Sequence, residues 1–209
     1  MLATIRHLQP DIVINDRLDA PGDFHSREGW GALGDFDNEH PWELCVPIAG
    51  AWGYQPNHFP RPLKDYLQLL ASAAGRDGNL LLNVGPDRNG QIDGPQAVRL
   101  REIGAWLHQY GESIYATRGG PFLPGDWGVS TRRDNTIYLH VLNWPGNKLV
   151  LPAIPAKVIS VSVLTGGKSE FSQSAKGLSI FLSKTGCADT DTVIKLVLDS
   201  PAEKIPLIK

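Results

Sequence analysis

The feature that most constrains this chain is the stretch Arg76-Asp77-Gly78-Asn79-Leu80-Leu81-Leu82-Asn83-Val84-Gly85-Pro86-Asp87-Arg88-Asn89-Gly90. An apolar run of strand length, 80–84, lies between two turn-rich clusters and stops at Gly-Pro, which cannot continue a ladder. The pattern predicts a buried strand with a sharply broken exit. In parallel α/β folds, loops at the C-terminal ends of strands are where sites are built. A plain buried strand with a tight exit turn satisfies the same pattern.

Upstream, Leu2, Ile5 and Leu8 fit one face of a short helix ending before Pro10. Residues 11–15 read as a second buried strand, followed by Asp16-Arg17. Residues 19–41 are polar and Gly-rich, with Phe24, Trp30 and Phe36 interspersed, which predicts a long loop of the kind that tends to be functional. Residues 44–48 form a third strand candidate, weakened by Pro47. Pro62 can open a helix whose stripe is Leu63, Tyr66, Leu67, Leu70, Ala71 and Ala74, with Gly75 as the stop. After the 80–84 strand, Asp93-Gly94-Pro95 starts another helix, with Leu100, Ile103, Leu107 and Tyr110 on one face and Gly111 at its end.

Residues 1–112 therefore read as strand–loop–helix units with three buried strands. Three such strands do not close a barrel, which takes eight strands and about 250 residues. A small open sheet would leave an exposed edge strand and a long loop with little to cover. The last part of a larger barrel is the better expectation. From about Tyr115 the texture changes to short alternating runs at 128–132, 136–142, 148–151, 157–164, 170–173, 178–182 and 193–198, separated by turns such as Pro145-Gly146 and Thr165-Gly166-Gly167. That is the pattern of an antiparallel sandwich. The expected fold class is α/β plus all-β. A partial (β/α) TIM-like barrel, its last few βα units, spans 1–115, and an antiparallel β-sandwich follows over 116–209.

The totals exclude several functions. Lys and Arg number 20 against 22 Asp and Glu, so no basic excess points to nucleic acid. No apolar run approaches the roughly 20 residues of a membrane span. The first seven residues lack the apolar core of a signal peptide. Cys45 and Cys187 stand in no metal-ligand spacing and are expected to be free thiols. Gly85 and Gly90 have P-loop spacing, but Gln91-Ile92 stand where Lys and Ser/Thr are required. Asp87, Asn89, Gln91 and Asp93 alternate like a calcium loop, yet Gly90 is misplaced and Val98 stands where a bidentate Glu should be. No metal and no cofactor is expected.

What remains is carboxylates and aromatics at strand exits. Asp16 and Arg17 follow one strand. Asp23, Glu28, Asp35, Asp37, Glu39 and Glu43 lie in or just after the long loop, and Trp52 and Tyr54 follow another strand. A glycosidase needs a pair of carboxyls across the scissile bond, and one of them protonates the leaving oxygen. It also needs aromatic faces for the C–H surface of the sugar. Each loop carboxylate is equally readable as a solvated charge, Trp52 as a core aromatic, and Arg17 as half of a structural ion pair.

Four segments resemble the family-29 α-L-fucosidases, in order. They are Leu8-Gln9-Pro10-Asp11-Ile12-Val13-Ile14-Asn15-Asp16-Arg17; Gly22-Asp23-Phe24 with Glu28; Pro41-Trp42-Glu43-Leu44-Cys45 through Trp52-Gly53-Tyr54; and Gly78-Asn79-Leu80-Leu81-Leu82-Asn83-Val84-Gly85-Pro86 through Gly90. The resemblance covers residues 8–112 and reaches the later residues only as architecture. It implies a barrel plus sandwich and retaining hydrolysis of terminal α-L-fucose from glycans, in a family typically exported (periplasmic or extracellular) or lysosomal. It implies Glu28 as the acid/base, with Glu43 as runner-up, and Arg17 and Trp52 as sugar contacts. The family's nucleophilic Asp and fucose-gripping histidines belong upstream of every segment matched. The expectation is thus a chain that corresponds to the C-terminal half of a fucosidase and is inactive alone, with Asp16 not the nucleophile. The alternative function is a non-catalytic carbohydrate-binding protein.

Overall fold

The computed structural model describes residues 1–18, 20–182 and 188–209. Cys187 lies outside the described residues. Helix α1 (Leu2–Leu8) opens the chain. Strands β1 (His25–Glu28), β2 (Trp42–Pro47) and β3 (Asn79–Asn83) form a three-stranded parallel sheet in the order β1-β2-β3. Helix α2 (Leu63–Gly75) crosses from β2 to β3, and α3 (Gly94–Tyr110) follows β3.

The strand expected at 11–15 is reduced to one parallel bridge, Asn15 to Phe24. Only Ile14 of that run is buried, and Val13 is exposed, because no described strand lies on its far side to cover it. β1 instead forms inside the expected long loop. β2 is the central strand and the buried one. Pro47 sits at its last position, where the missing N–H interrupts nothing further along. β3 is where the 80–84 run was expected, but it is a half-exposed edge strand, with Leu81 at 41% exposure.

The alternation of β2 decides the two faces of this sheet. Trp42, Leu44 and Val46 pack with Leu69 and Ala73 of α2, and Trp30, Leu33, Leu80 and Leu82 lie around them. Arg27 of β1 stacks over the Trp42 ring at 3.9 Å. Glu43, Cys45 and Pro47 point the other way. The parallel register places Ser26 opposite Glu43, Glu28 opposite Cys45, and Asn79, Leu81 and Asn83 opposite Glu43, Cys45 and Pro47. Directly paired residues share a face. Glu28, Glu43, Cys45, Leu81 and Asn83 therefore share the face that the helices leave uncovered.

Eight antiparallel strands follow: β4 (Arg118–Gly119), β5 (Gly128–Arg133), β6 (Thr136–Val141), β7 (Lys148–Leu151), β8 (Val158–Val163), β9 (Ser169–Ser174), β10 (Gly177–Leu182) and β11 (Thr192–Leu198). They make a five-stranded sheet, β4-β5-β6-β11-β8, and a three-stranded sheet, β7-β10-β9. Ile137, Leu139, Ile194 and Leu196 of the first meet Leu149, Leu178 and Ile180 of the second in one core, the layering of a sandwich.

The outer face of the five-stranded sheet is also covered. Tyr138 donates to Glu112 at 2.9 Å, and Lys195 donates to the same carboxylate at 2.6 Å. Thr131 Oγ1 donates to the Ser113 carbonyl at 2.6 Å. His140 and Asp191, both fully buried, pair at 2.7 Å, and the other His140 ring nitrogen lies 3.3 Å from the Ser113 carbonyl. Gln68 of α2 donates to the Thr190 carbonyl at 2.9 Å. At the end of α2, Asp77 in the left-handed region (φ 70) accepts from Gly119 N at 2.6 Å and Arg118 Nε at 2.9 Å. Gly78 follows because any Cβ there would enter the Trp42 ring. The parallel sheet is thereby tied to the antiparallel ones through α2 and the short turn Gly111–Ser113.

Candidate active site

Arg17 and Glu28 are eleven residues apart in sequence and the structure brings them together. Arg17 lies in the short 3-10 turn Asp16–Leu18, just after the Asn15 bridge, and Glu28 is the last residue of β1. Both are therefore carried to the C-terminal ends of neighbouring parallel segments. Arg17 Nη2 donates to Glu28 Oε1, and both side chains remain about half exposed, at 48% and 45%. The Glu28 carboxylate beside it is the main cause that holds the Arg17 guanidinium above its ordinary value.

Asp16 does a different job. Its Oδ1 accepts from Ser26 N at 3.1 Å and its Oδ2 lies 3.1 Å from His25 Nδ1. The hydrogen bond from His25 is the leading cause that lowers its carboxyl below the usual carboxylate range. With both oxygens engaged in pinning the start of β1, Asp16 is a poor attacking group. Asp23 is likewise tied, accepting from Arg6 at 2.7 Å and from Ile14 N at 2.7 Å.

Glu43 shares the open face with Glu28. It sits near the N-terminal end of β2, opposite Ser26, two residues below the level of Glu28. Cys45 lies directly opposite Glu28, half-buried and free. Burial, then the Glu28 and Glu43 charges, push the Cys45 thiol up. Trp52 lies in the loop after β2 and is 43% exposed. It forms no hydrogen bond with Arg17 or Glu28 among the described residues. Its carbonyl accepts from Asn83 Nδ2 at 2.8 Å. Among the described residues, no group of three or more His, Cys, Asp or Glu is placed to hold a metal ion.

Reasoning from sequence alone missed Cys45, the Asp16–His25 brace and the Asn83 anchor. The first was legible in principle, because strict alternation through Trp42–Pro47 puts Cys45 on the face of Glu43. The other two depend on pairings across the sheet that no local pattern records.

The site is thus an arginine–carboxylate pair at the strand exits of a parallel sheet open on one face, with Trp52 and Tyr54 exposed on the loop after β2. The α-L-fucosidase family model matches residues 1–112, more than half of the 209, and the chain belongs to that family. It is similar to plasma α-L-fucosidase of Homo sapiens, 29% identical over 168 residues, covering 72% of this chain and 35% of that protein. It is 33% identical to an α-L-fucosidase of Branchiostoma floridae over 129 residues, 56% of this chain and 28% of that one. Among solved structures, α-L-fucosidase from Vibrio sp. strain EJY3 superposes with a TM-score of 0.88 at 27% identity, covering 99% of this chain and 39% of that chain. Isoenzyme 1 from Paenibacillus thiaminolyticus gives 0.83 at 28% identity, covering 95% and 53%. The chain thus spans about a third of the length of the curated relatives it matches.

Proposed function

We propose that this chain supplies the acid/base half of a retaining exo-glycosidase site for terminal α-L-fucose on glycans. In this proposal residues 1–115 are the closing βα units of a (β/α) barrel and residues 116–209 are a β-sandwich domain that buttresses it. The observation that carries the reading is the Arg17–Glu28 pair at the strand exits of an open parallel sheet, in a chain of the fucosidase family. Glu28 protonates the leaving oxygen and then, as carboxylate, activates water. Arg17 holds a sugar hydroxyl. When the sugar displaces Arg17 from Glu28, the guanidinium keeps its other donors for the hydroxyl, and the carboxyl is left free for proton transfer. Trp52 packs on an apolar face of the fucose. Glu43 is the weaker choice for acid/base, since it lies below the strand exits.

Retaining hydrolysis takes a second carboxyl about 5–5.5 Å from the first. Asp16 is spent on His25 and Ser26, so the proposal takes the nucleophile from outside this sheet. The test is nitrophenol release from nitrophenyl α-L-fucoside, by the chain alone and by the chain mixed with the N-terminal portion of the Vibrio relative. Turnover is expected in the mixture, with Glu28→Ala lowering it by about 10²- to 10⁴-fold. Robust turnover by the chain alone overturns the half-site assignment. Turnover in the mixture that Glu28→Ala leaves intact overturns the role of Glu28. The family membership favours this reading over a purely carbohydrate-binding protein.

A further inference from the structure

Asn83 and Gly85 are outside the groups assigned to chemistry, yet both reach the loop that carries Trp52. Asn83 closes β3. Its Nδ2 donates to the Trp52 carbonyl at 2.8 Å, and its own carbonyl accepts from Ile48 N at 2.8 Å, where the same loop begins. Two residues on, Gly85 is buried against the backbone of the same loop. A Cβ at Gly85 would lie 2.6 Å from Tyr54 N and 2.7 Å from the Gly53 carbonyl carbon, which are main-chain atoms that no rotamer change moves away. The loop itself, residues 49–62, contains no helix or strand, and Trp52 and Tyr54 are each 43% exposed. Rings half in water contribute little packing to fix the chain that bears them, so such a segment opens at small free energy unless its backbone is tied.

We infer that Asn83 and Gly85 are positioning residues of the sugar site. The exit of β3 clamps the Trp52-Gly53-Tyr54 turn, so that the Trp52 ring is held ready for the C–H face of a pyranose. The inference rests on the sugar-binding reading of Trp52 and deepens it. A ring ordered before binding spares the sugar the entropy of ordering it. The clamp also accounts for the residue types. Asn brings a neutral donor where the Asp carboxylate would have none and would repel the Trp52 carbonyl. Gly alone lets β3's exit lie flat on the backbone of 53–54.

The experiment uses the full chain with Asn83→Ala, Asn83→Gln and Gly85→Ala. Hydrogen exchange is followed at the Ile48 amide, which donates to the Asn83 carbonyl where the loop begins. Iodide quenching of Trp52 is obtained by difference from Trp52→Phe, and L-fucose is titrated into each protein mixed with the N-terminal portion of the Vibrio relative, which supplies the rest of the proposed site. Exchange at Ile48 is expected to quicken about fivefold in Asn83→Ala, the loss of one hydrogen bond that holds the loop, and further in Gly85→Ala. Trp52 quenching is expected to rise, and Asn83→Gln to recover part of both. Exchange in β6 and β11 stays at its native rate and reports that the fold is intact. Unchanged exchange and quenching in both Asn83→Ala and Gly85→Ala overturn the clamp. L-fucose separates the layers. Equal affinity in the native mixture and in those of loosened variants overturns the positioning role. A native mixture blind to L-fucose, with a loop that loosens as expected, overturns the sugar reading and upholds the clamp.

Discussion

The parallel sheet and the five-stranded antiparallel sheet live in different surroundings. β6, at the centre of the antiparallel sheet, is covered on both faces. Ile137, Leu139 and Val141 enter the sandwich core, while Tyr138 and His140 lie under the Gly111–Ser113 turn. β2, at the centre of the parallel sheet, is covered on one. Trp42, Leu44 and Val46 meet α2, while Glu43 and Cys45 look out beside Glu28 and Leu81. The difference teaches where packing chooses the residues and where it does not. A face with a layer over it must satisfy every polar group it holds. A face without one can keep carboxylates and a thiol together, and only chemistry or a further layer of protein gives them a use.

The comparison breaks first at His140. Truncation by His140→Ala leaves the Asp191 carboxylate buried with its partner gone, and is expected to destabilise the chain by about 3–5 kcal/mol in denaturant unfolding. A loss near zero would mean that the outer face of this sheet is as open as that of β2. Tyr138, on the same face, tests the covering by pH. Burial, helped by the Glu112 charge, pushes its hydroxyl up to about 12. The folded value is raised, so its contribution is complete below the unfolded value near 10 and is lost as pH rises toward 12. Wild type should lose on the order of 2 kcal/mol through that window, and Tyr138→Phe should lack the loss. Smallest is Leu81→Ala on the open face. With the residue already 41% exposed, it is expected to change stability by about 1 kcal/mol or less, where Leu139→Ala in the sandwich core costs about 2–5. A large loss at Leu81 would show that something covers that face in solution.

Legibility followed the same divide. The antiparallel runs were readable to within a residue or so, and β7 has the bounds read from sequence, Lys148–Leu151. Alternation there is enforced by a core on one side, so the pattern survives in the letters. α2 was readable for the same reason, although its burial extends to Leu69 and Ala73, because it packs on β2 and also approaches Val129 of β5 at Gly75. β1 was not readable. His25-Ser26-Arg27-Glu28 has no apolar position, since one face is open and Arg27 covers Trp42 with a cation rather than an alkyl chain. The run at 11–15 misled in the opposite sense. Its letters ask for burial that the described neighbours do not provide.

Sequence by itself determined the three helices, the alternating runs from residue 128 onward and the family likeness in residues 8–112, because each is written in local spacing. Tertiary structure alone decided which carboxylate pairs with Arg17. Glu28 meets Arg17 because a parallel register lays the end of β1 beside the turn after Asn15, and Asp16, one residue from Arg17, is turned instead onto His25 and Ser26. The period of a strand tells which residues share a face. It does not tell which strand lies alongside or whether anything covers that face, since those depend on contacts between residues far apart in the chain.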